Sequence, residues 1–212
     1  MKKILMLFFA LAAFVSVSNA QIVRSESRRT VTQERVKEPS ESMWYARFGL
    51  NMMKAAGDDV DKCDSKLGYQ LVWGFEKPMG PLFWGMEFGL GSRGWKFDKN
   101  GSKQELIAHN GVFSPFNIGY KHPISDDFAV EAHLGAYVSG DYYGKIKDDY
   151  QGDFNIYDAD SYVFPDAGLQ FGFGVWYNVV GLDIFFQKGM INWQEDIKEH
   201  TSNFMIRLGV KF

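Results

Sequence analysis

The sequence predicts an all-β fold, an eight-stranded antiparallel up-and-down transmembrane β-barrel. Three observations carry that expectation. Segments with large apolar residues at every second position recur through the chain, the period of a strand with two unlike faces. The connections between them alternate between tight turns and long polar stretches. Aromatic residues make up 17% of the chain and collect near the short-turn ends of the segments, where amphipathic rings favour a headgroup layer.

The first twenty residues stand apart. Lys2 and Lys3 precede an apolar run from Ile4 to Val17, and Ser18 and Ala20 place small residues before Gln21. That is the pattern of a secretory signal peptide over residues 1–20. Residues 21–42 mix charges of both signs with few large apolar groups and read as a flexible periplasmic segment. The barrel is expected over residues 43–212.

The first strand, Met43 to Met52, sets Trp44, Ala46, Phe48, Leu50 and Met52 against Tyr45, Arg47, Gly49 and Asn51. The second, Lys66 to Glu76, sets Leu67, Tyr69, Leu71, Trp73 and Phe75 against Gly68, Gln70, Gly74 and Glu76. The third, Leu82 to Arg93, sets Trp84, Met86, Phe88 and Leu90 against Gly85, Glu87, Gly89 and Arg93. The fourth, roughly Leu106 to Lys121, is the least regular. Val112, Phe116, Ile118 and Tyr120 are expected outside, Ser114 also outside, and Pro115 on the inner set, where its missing N–H predicts a bulge or break.

The fifth strand, Asp127 to Ser139, sets Phe128, Val130, Ala132, Leu134, Ala136 and Val138 against Glu131, His133, Gly135 and Tyr137. The sixth, Asp166 to Asn178, sets Leu169, Phe171, Phe173, Val175 and Tyr177 against Gln170, Gly172, Gly174 and Trp176. The seventh, Val180 to Asn192, sets Leu182, Ile184 and Phe186 against Asp183, Phe185 and Gln187. The eighth, Asn203 to Phe212, sets Phe204, Ile206, Leu208, Val210 and Phe212 against Met205, Arg207, Gly209 and Lys211. Long loops are expected over 54–65, 97–105, 140–164 and 193–201, facing outward from the cell.

With a signal peptide, eight alternating strands and a terminal Phe212, the chain resembles the OmpA/OmpX-type outer-membrane barrel families of Gram-negative bacteria. The resemblance implies a place in the outer membrane among lipid and lipopolysaccharide. It also implies that Leu208, Val210 and Phe212 form an assembly signal read by the barrel-assembly machinery.

Inside so narrow a barrel, Arg47, Glu87, Glu131, Asp183 and Arg207 fall at similar depth and are expected to pair and fill the lumen. Arg207 is matched to Asp183 on the preceding strand. A periplasmic aromatic belt is expected from Trp44, Trp73, Trp84, Tyr120 and Tyr177. His133 beside Glu131 is read as a structural histidine, with His109 at a loop–strand boundary. No nucleophile motif, catalytic set, cofactor site or metal-ligand spacing is present, and the single Cys63 excludes an intramolecular disulfide. The near-neutral charge of −3 does not point to nucleic acid. Tyr and Asp interleaved over 140–164 suit a protein or glycan ligand. The expected function is envelope integrity or surface interaction; the alternatives are a small ion or solute channel and a lipid A-modifying enzyme.

Overall fold

The computed structural model describes residues 42–57, 63–99, 102–149, 152–156, 165–192 and 199–212. The signal peptide and the periplasmic segment expected over 1–20 and 21–42 fall outside the described residues, apart from Ser42. Nine strands are described: β1 (Met43–Gly57), β2 (Cys63–Met79), β3 (Leu82–Lys99), β4 (Ser102–Pro123), β5 (Phe128–Asp148), β6 (Phe154–Asn155), β7 (Pro165–Tyr177), β8 (Val180–Gly189) and β9 (Glu199–Lys211). Among them β6 is a two-residue strand on the edge of β5. The other eight form a closed antiparallel barrel, because β1 pairs β9 from Tyr45↔Lys211 to Gly57↔Glu199. Closure leaves the ladder without an edge inside the barrel, which a lipid-exposed sheet requires.

The strands are tilted. Following ladder partners around the ring leads from Met43 through Glu76, Gly85, Asn117, Gly135, Gln170, Gln187 and Asn203 back to Met53. That stagger is the geometry of a barrel whose strands lean about 35–45° from its axis.

Tight turns define one rim. Gly80 lies in the left-handed region at φ 68° and Asn178 at φ 51°, residue types that tolerate it. Between β4 and β5, Ile124 and Ser125 donate N–H bonds to the Phe128 carbonyl at 2.8 and 3.1 Å. Phe212 N–H reaches the Trp44 carbonyl at 2.9 Å, so both ends of the described barrel lie at this rim.

The strands run longer than the alternation predicts. Much of what reads as loop over 54–65, 97–105 and 140–149 continues the ladders of β1–β5, and β9 starts at Glu199. Residues 157–164 and 193–198 lie outside the described residues. Among the described residues, β3, β4 and β5 extend their ladders further toward the long-loop rim than β7 and β8 do.

The fourth strand departs most from expectation. A bulge between Phe113 and Phe116 shifts its register against β5, and a matching shift lies between Gly85 and Glu87 on β3. The extra residue reverses which face each side chain takes. Val112 and Ser114, expected outside, are buried in the interior, and Pro115, expected inside, is exposed. His109 is not at a boundary but well inside β4, on its outer side.

Candidate functional site

Period 2 aims Arg47 on β1, Glu87 on β3, Glu131 on β5, Asp183 on β8 and Arg207 on β9 inward, and the register brings all five together in one buried layer. The Arg47 guanidinium donates to Glu87 Oε1 and to Glu131 Oε1, each at 2.8 Å, and stands 3.5 Å from Asp183 Oδ2. Arg207 donates Nε and Nη2 to the two oxygens of Asp183 at 3.0 and 2.6 Å, and Nη1 to Glu87 Oε2 at 3.2 Å. Glu87 thus bridges the two guanidinium groups, and Tyr45 donates its hydroxyl to the same carboxylate at 2.9 Å. Buried charges are tolerable when paired and hydrogen-bonded in this way.

Aromatic rings hold the guanidinium planes. Arg47 lies 4.2 Å from the Tyr45 ring centre and Arg207 lies 3.8 Å from that of Phe185. Nearer the short-turn rim, Lys121 joins the layer, 2.5 Å from Glu76 and 3.1 Å from Glu131.

The inward residues of β9 mark what lies above. Beyond Arg207 come Met205, Asn203 and Thr201, all buried. At the height of Asn203 the lumen holds an uncharged network. Asn203 donates to Gln187 at 3.2 Å, Gln187 to Gln170 at 3.0 Å, Gln170 to Asn117 at 2.7 Å, and Ser114 to Gln170 at 3.1 Å. At the height of Thr201 a second charged layer forms. Arg93 donates to Asp141 at 2.8 Å and stands 3.5 Å from Asp166, which also accepts from Thr201 at 2.6 Å and Tyr137 at 3.1 Å. Above it an apolar cluster of Met53, Ala55, Trp95, Leu106, Ile146 and Ile156 occupies the interior.

Apolar alternation does not reveal that second layer or the apolar cluster. Asp141 and Ile146 sit in a stretch rich in Asp, Tyr and Lys that reads as loop, and Ile156 follows a two-residue strand. The signal is faint: Gly144, Ile146 and Asp148 are buried at every second position of β5, but only one of the three is a large apolar residue.

His133 packs edge-on against Phe185 with ring centres 5.5 Å apart, and its Nδ1 is 3.8 Å from Glu131. Its Nε2 has no hydrogen-bond partner among the described residues. Ser114 is engaged with Gln170 instead, so these two residues do not form a nucleophile–base pair. No group of three His, Cys, Asp or Glu side chains with metal-site geometry occurs among the described residues.

The exterior is the reverse of the lumen. Leu134, Phe173 and Leu208 are each 60% exposed, and Phe48, Leu71, Ile118, Phe171 and Ile184 are exposed beside them. An apolar surface of that extent, continuous around a closed sheet with a charged interior, is suited to lipid. At its short-turn edge lie Trp44, Trp84, Tyr120, Tyr177 and Phe212, with Trp73 one step further in. The Trp44 ring contacts Phe75 at 5.1 Å and Phe75 contacts Trp84 at 6.1 Å. At the opposite edge Tyr69, Tyr142 and Tyr143 surround His109, with ring centres 6.4, 6.2 and 5.7 Å away. The alternation does not foretell this second belt, because Tyr142 and Tyr143 are adjacent in sequence and read as loop. A register shift beside His109 puts both outside.

The fold is a closed, eight-stranded antiparallel β-barrel with an apolar exterior and a charged interior.

Neither a protein-family model nor a curated protein matches the sequence. Similar solved structures include Ail, the attachment invasion locus protein of Yersinia pestis, in complex with the heparin analogue sucrose octasulfate. It is 14% identical with a TM-score of 0.45, over 82% of this chain and 100% of that one. Neisserial surface protein A is 18% identical with a TM-score of 0.44, over 82% and 100%. The N-terminal barrel domain of Pseudomonas aeruginosa OprF is 8% identical with a TM-score of 0.33, over 77% and 96%.

Proposed function

We propose that the protein is an integral outer-membrane barrel with a closed lumen, serving envelope integrity or surface interaction through its long-loop rim rather than conducting solutes or modifying lipid. The observation that carries this reading is the layered interior. Two ion-paired layers, an amide network between them and an apolar cluster above them occupy the axis. In an eight-stranded barrel the interior is only wide enough for side chains, so such layers obstruct rather than line a path. The orientation that fits puts the tight turns in the periplasm and the extended β3–β5 ladders outside the cell.

The engagement of Ser114 with Gln170 and the packing of His133 on Phe185 support the non-enzymatic reading. Cells lacking the protein test it. They are expected to become more sensitive to detergent or to lose binding to a surface ligand, with lipid A mass spectra unchanged. An altered lipid A spectrum that wild type restores and His133→Ala does not would replace this reading with an enzymatic one.

A further inference from the structure

The outer face changes character at one register on three neighbouring strands. On β1 the outward series is Phe48, Leu50 and Met52, then Lys54. On β8 it is Leu182, Ile184 and Phe186, then Lys188, and on β9 Phe204 gives way to Ser202. Ser202 is the ladder partner of both lysines, Lys188↔Ser202 on one side and Lys54↔Ser202 on the other. Adjacent strands lie about 4.8 Å apart, so the two lysine Cα atoms are roughly 10 Å apart across the serine. Four-carbon stems over that gap let both ammonium groups converge on one anion while their methylenes rest on the apolar belt.

The outer-face neighbours of this row on β1, β7, β8 and β9 are Met52, Ala56, Leu169, Phe186, His200 and Phe204, none of them acidic; on β2 the exposed Asp64 lies two residues beyond Lys66, the ladder partner of Met53. Elsewhere on the same rim lysines have carboxylates beside them. Lys66 binds Glu105, Lys145 binds Asp153, and Lys96 has Asp64 as its partner position. Lys188 stands apart from that pattern, and Asp64 on the β2 side of Lys54 is the ladder partner of Lys96; both lysines lie at the depth where an outer leaflet presents its headgroups.

We infer that Lys54 and Lys188, with Ser202 between them, form a docking surface for the phosphate groups of outer-leaflet glycolipid headgroups. This rests on the membrane-spanning reading above. Two cations that share one anion hold it jointly, so neutralising either one removes most of the attraction, and the hydroxyl adds a donor between them. A lysine that merely extends into headgroup water has neither property. The attraction weakens as salt rises.

The test uses the full-length mature protein in nanodiscs of zwitterionic lipid, titrated with bis-phosphorylated lipid A and with the same lipid after removal of its phosphates. Native mass spectrometry counts bound lipid. Wild type is expected to prefer the phosphorylated form on the order of 10-fold. Lys54→Gln, Lys188→Gln and the double variant should each lose most of that preference, and Lys77→Gln at the opposite rim should keep it. Inorganic phosphate at the same concentration should not compete, since a headgroup is held at the surface by its acyl chains. Heat-modifiable migration of each variant checks that the barrel is intact. Wild type that inserts but shows no phosphate preference, a double variant that retains it, or displacement by inorganic phosphate overturns the proposal alone. Failure of wild type to insert overturns the membrane reading together with it.

Discussion

Arg207 on β9 and Asp183 on β8 are direct partners in the ladder and meet at two points, Nε to Oδ1 at 3.0 Å and Nη2 to Oδ2 at 2.6 Å. Both are almost completely buried. Removing Arg207 leaves Asp183 in a dry interior without its bidentate partner, with Arg47 3.5 Å away as its remaining cation, which costs more than the pair contributes. Arg207→Ala should therefore destabilise the barrel by about 3–5 kcal/mol, measured by urea unfolding in detergent or lipid. Replacing both residues with leucine should cost much less than the two single changes together. An Arg207→Ala barrel that unfolds at the wild-type urea concentration would refute the pairing.

That pairing is legible in the sequence because Asp183 and Arg207 both occupy inward positions of unbroken period-2 series, on consecutive long strands and at similar distances from the same rim. The same logic locates Arg47, Glu87 and Glu131. It fails where a bulge intervenes. One extra residue around Pro115 turns Val112 and Ser114 inward, and period counting through that point gives the wrong face. It fails again where inward positions carry Asp and the outward ones Lys or Tyr. The upper halves of β4 and β5 rise beyond the apolar belt, so neither face needs large apolar groups and the strand loses its marker. Asp141, on the upper half of β5, escapes the sequence reading for that reason.

Ile206 distinguishes a lipid-facing strand from an exposed soluble one. It is exposed on β9, about midway between the two aromatic edges. In a bilayer Ile206→Arg should cost about 2–4 kcal/mol, against near zero for the same change at the Val210 end of the strand. On a water-facing surface both would stay within about 0.5 kcal/mol. Unfolding of the two variants from lipid vesicles makes the comparison.

Phe212 combines a backbone role with an unused side chain. Its N–H closes the seam onto Trp44, while the residue is 76% exposed. Phe212→Ala keeps the seam bond, so the purified, refolded barrel should lose little stability. If the ring is read during assembly, the amount of heat-modifiable protein in the outer-membrane fraction of cells should fall severalfold. Equal amounts of folded variant and wild type in that fraction would count against an assembly role.

Glu105 lies on the outer side of β4 above the apolar belt and accepts from Lys66. The hydrogen bond from Lys66 holds its carboxyl below the ordinary glutamate range, with the nearby Lys96 and Lys147 acting in the same direction. A depressed value in the folded state means stabilisation that is present above the unfolded glutamate pKa and lost as pH falls through the folded one. The pair is largely solvated, so the contribution is about 0.2–1 kcal/mol at most. The Glu105 carboxyl carbon should titrate below a model glutamate by NMR, and Lys66→Gln should move it back up.

Single-channel recording in planar bilayers tests the closed lumen most directly. Wild type inserted at high protein-to-lipid ratio should show no steady openings across the full voltage range. The Arg207→Leu/Asp183→Leu variant should stay equally silent, because the amide network, the Arg93 layer and the apolar cluster remain above it. Steady, ion-selective openings from the folded wild-type barrel would contradict a closed lumen.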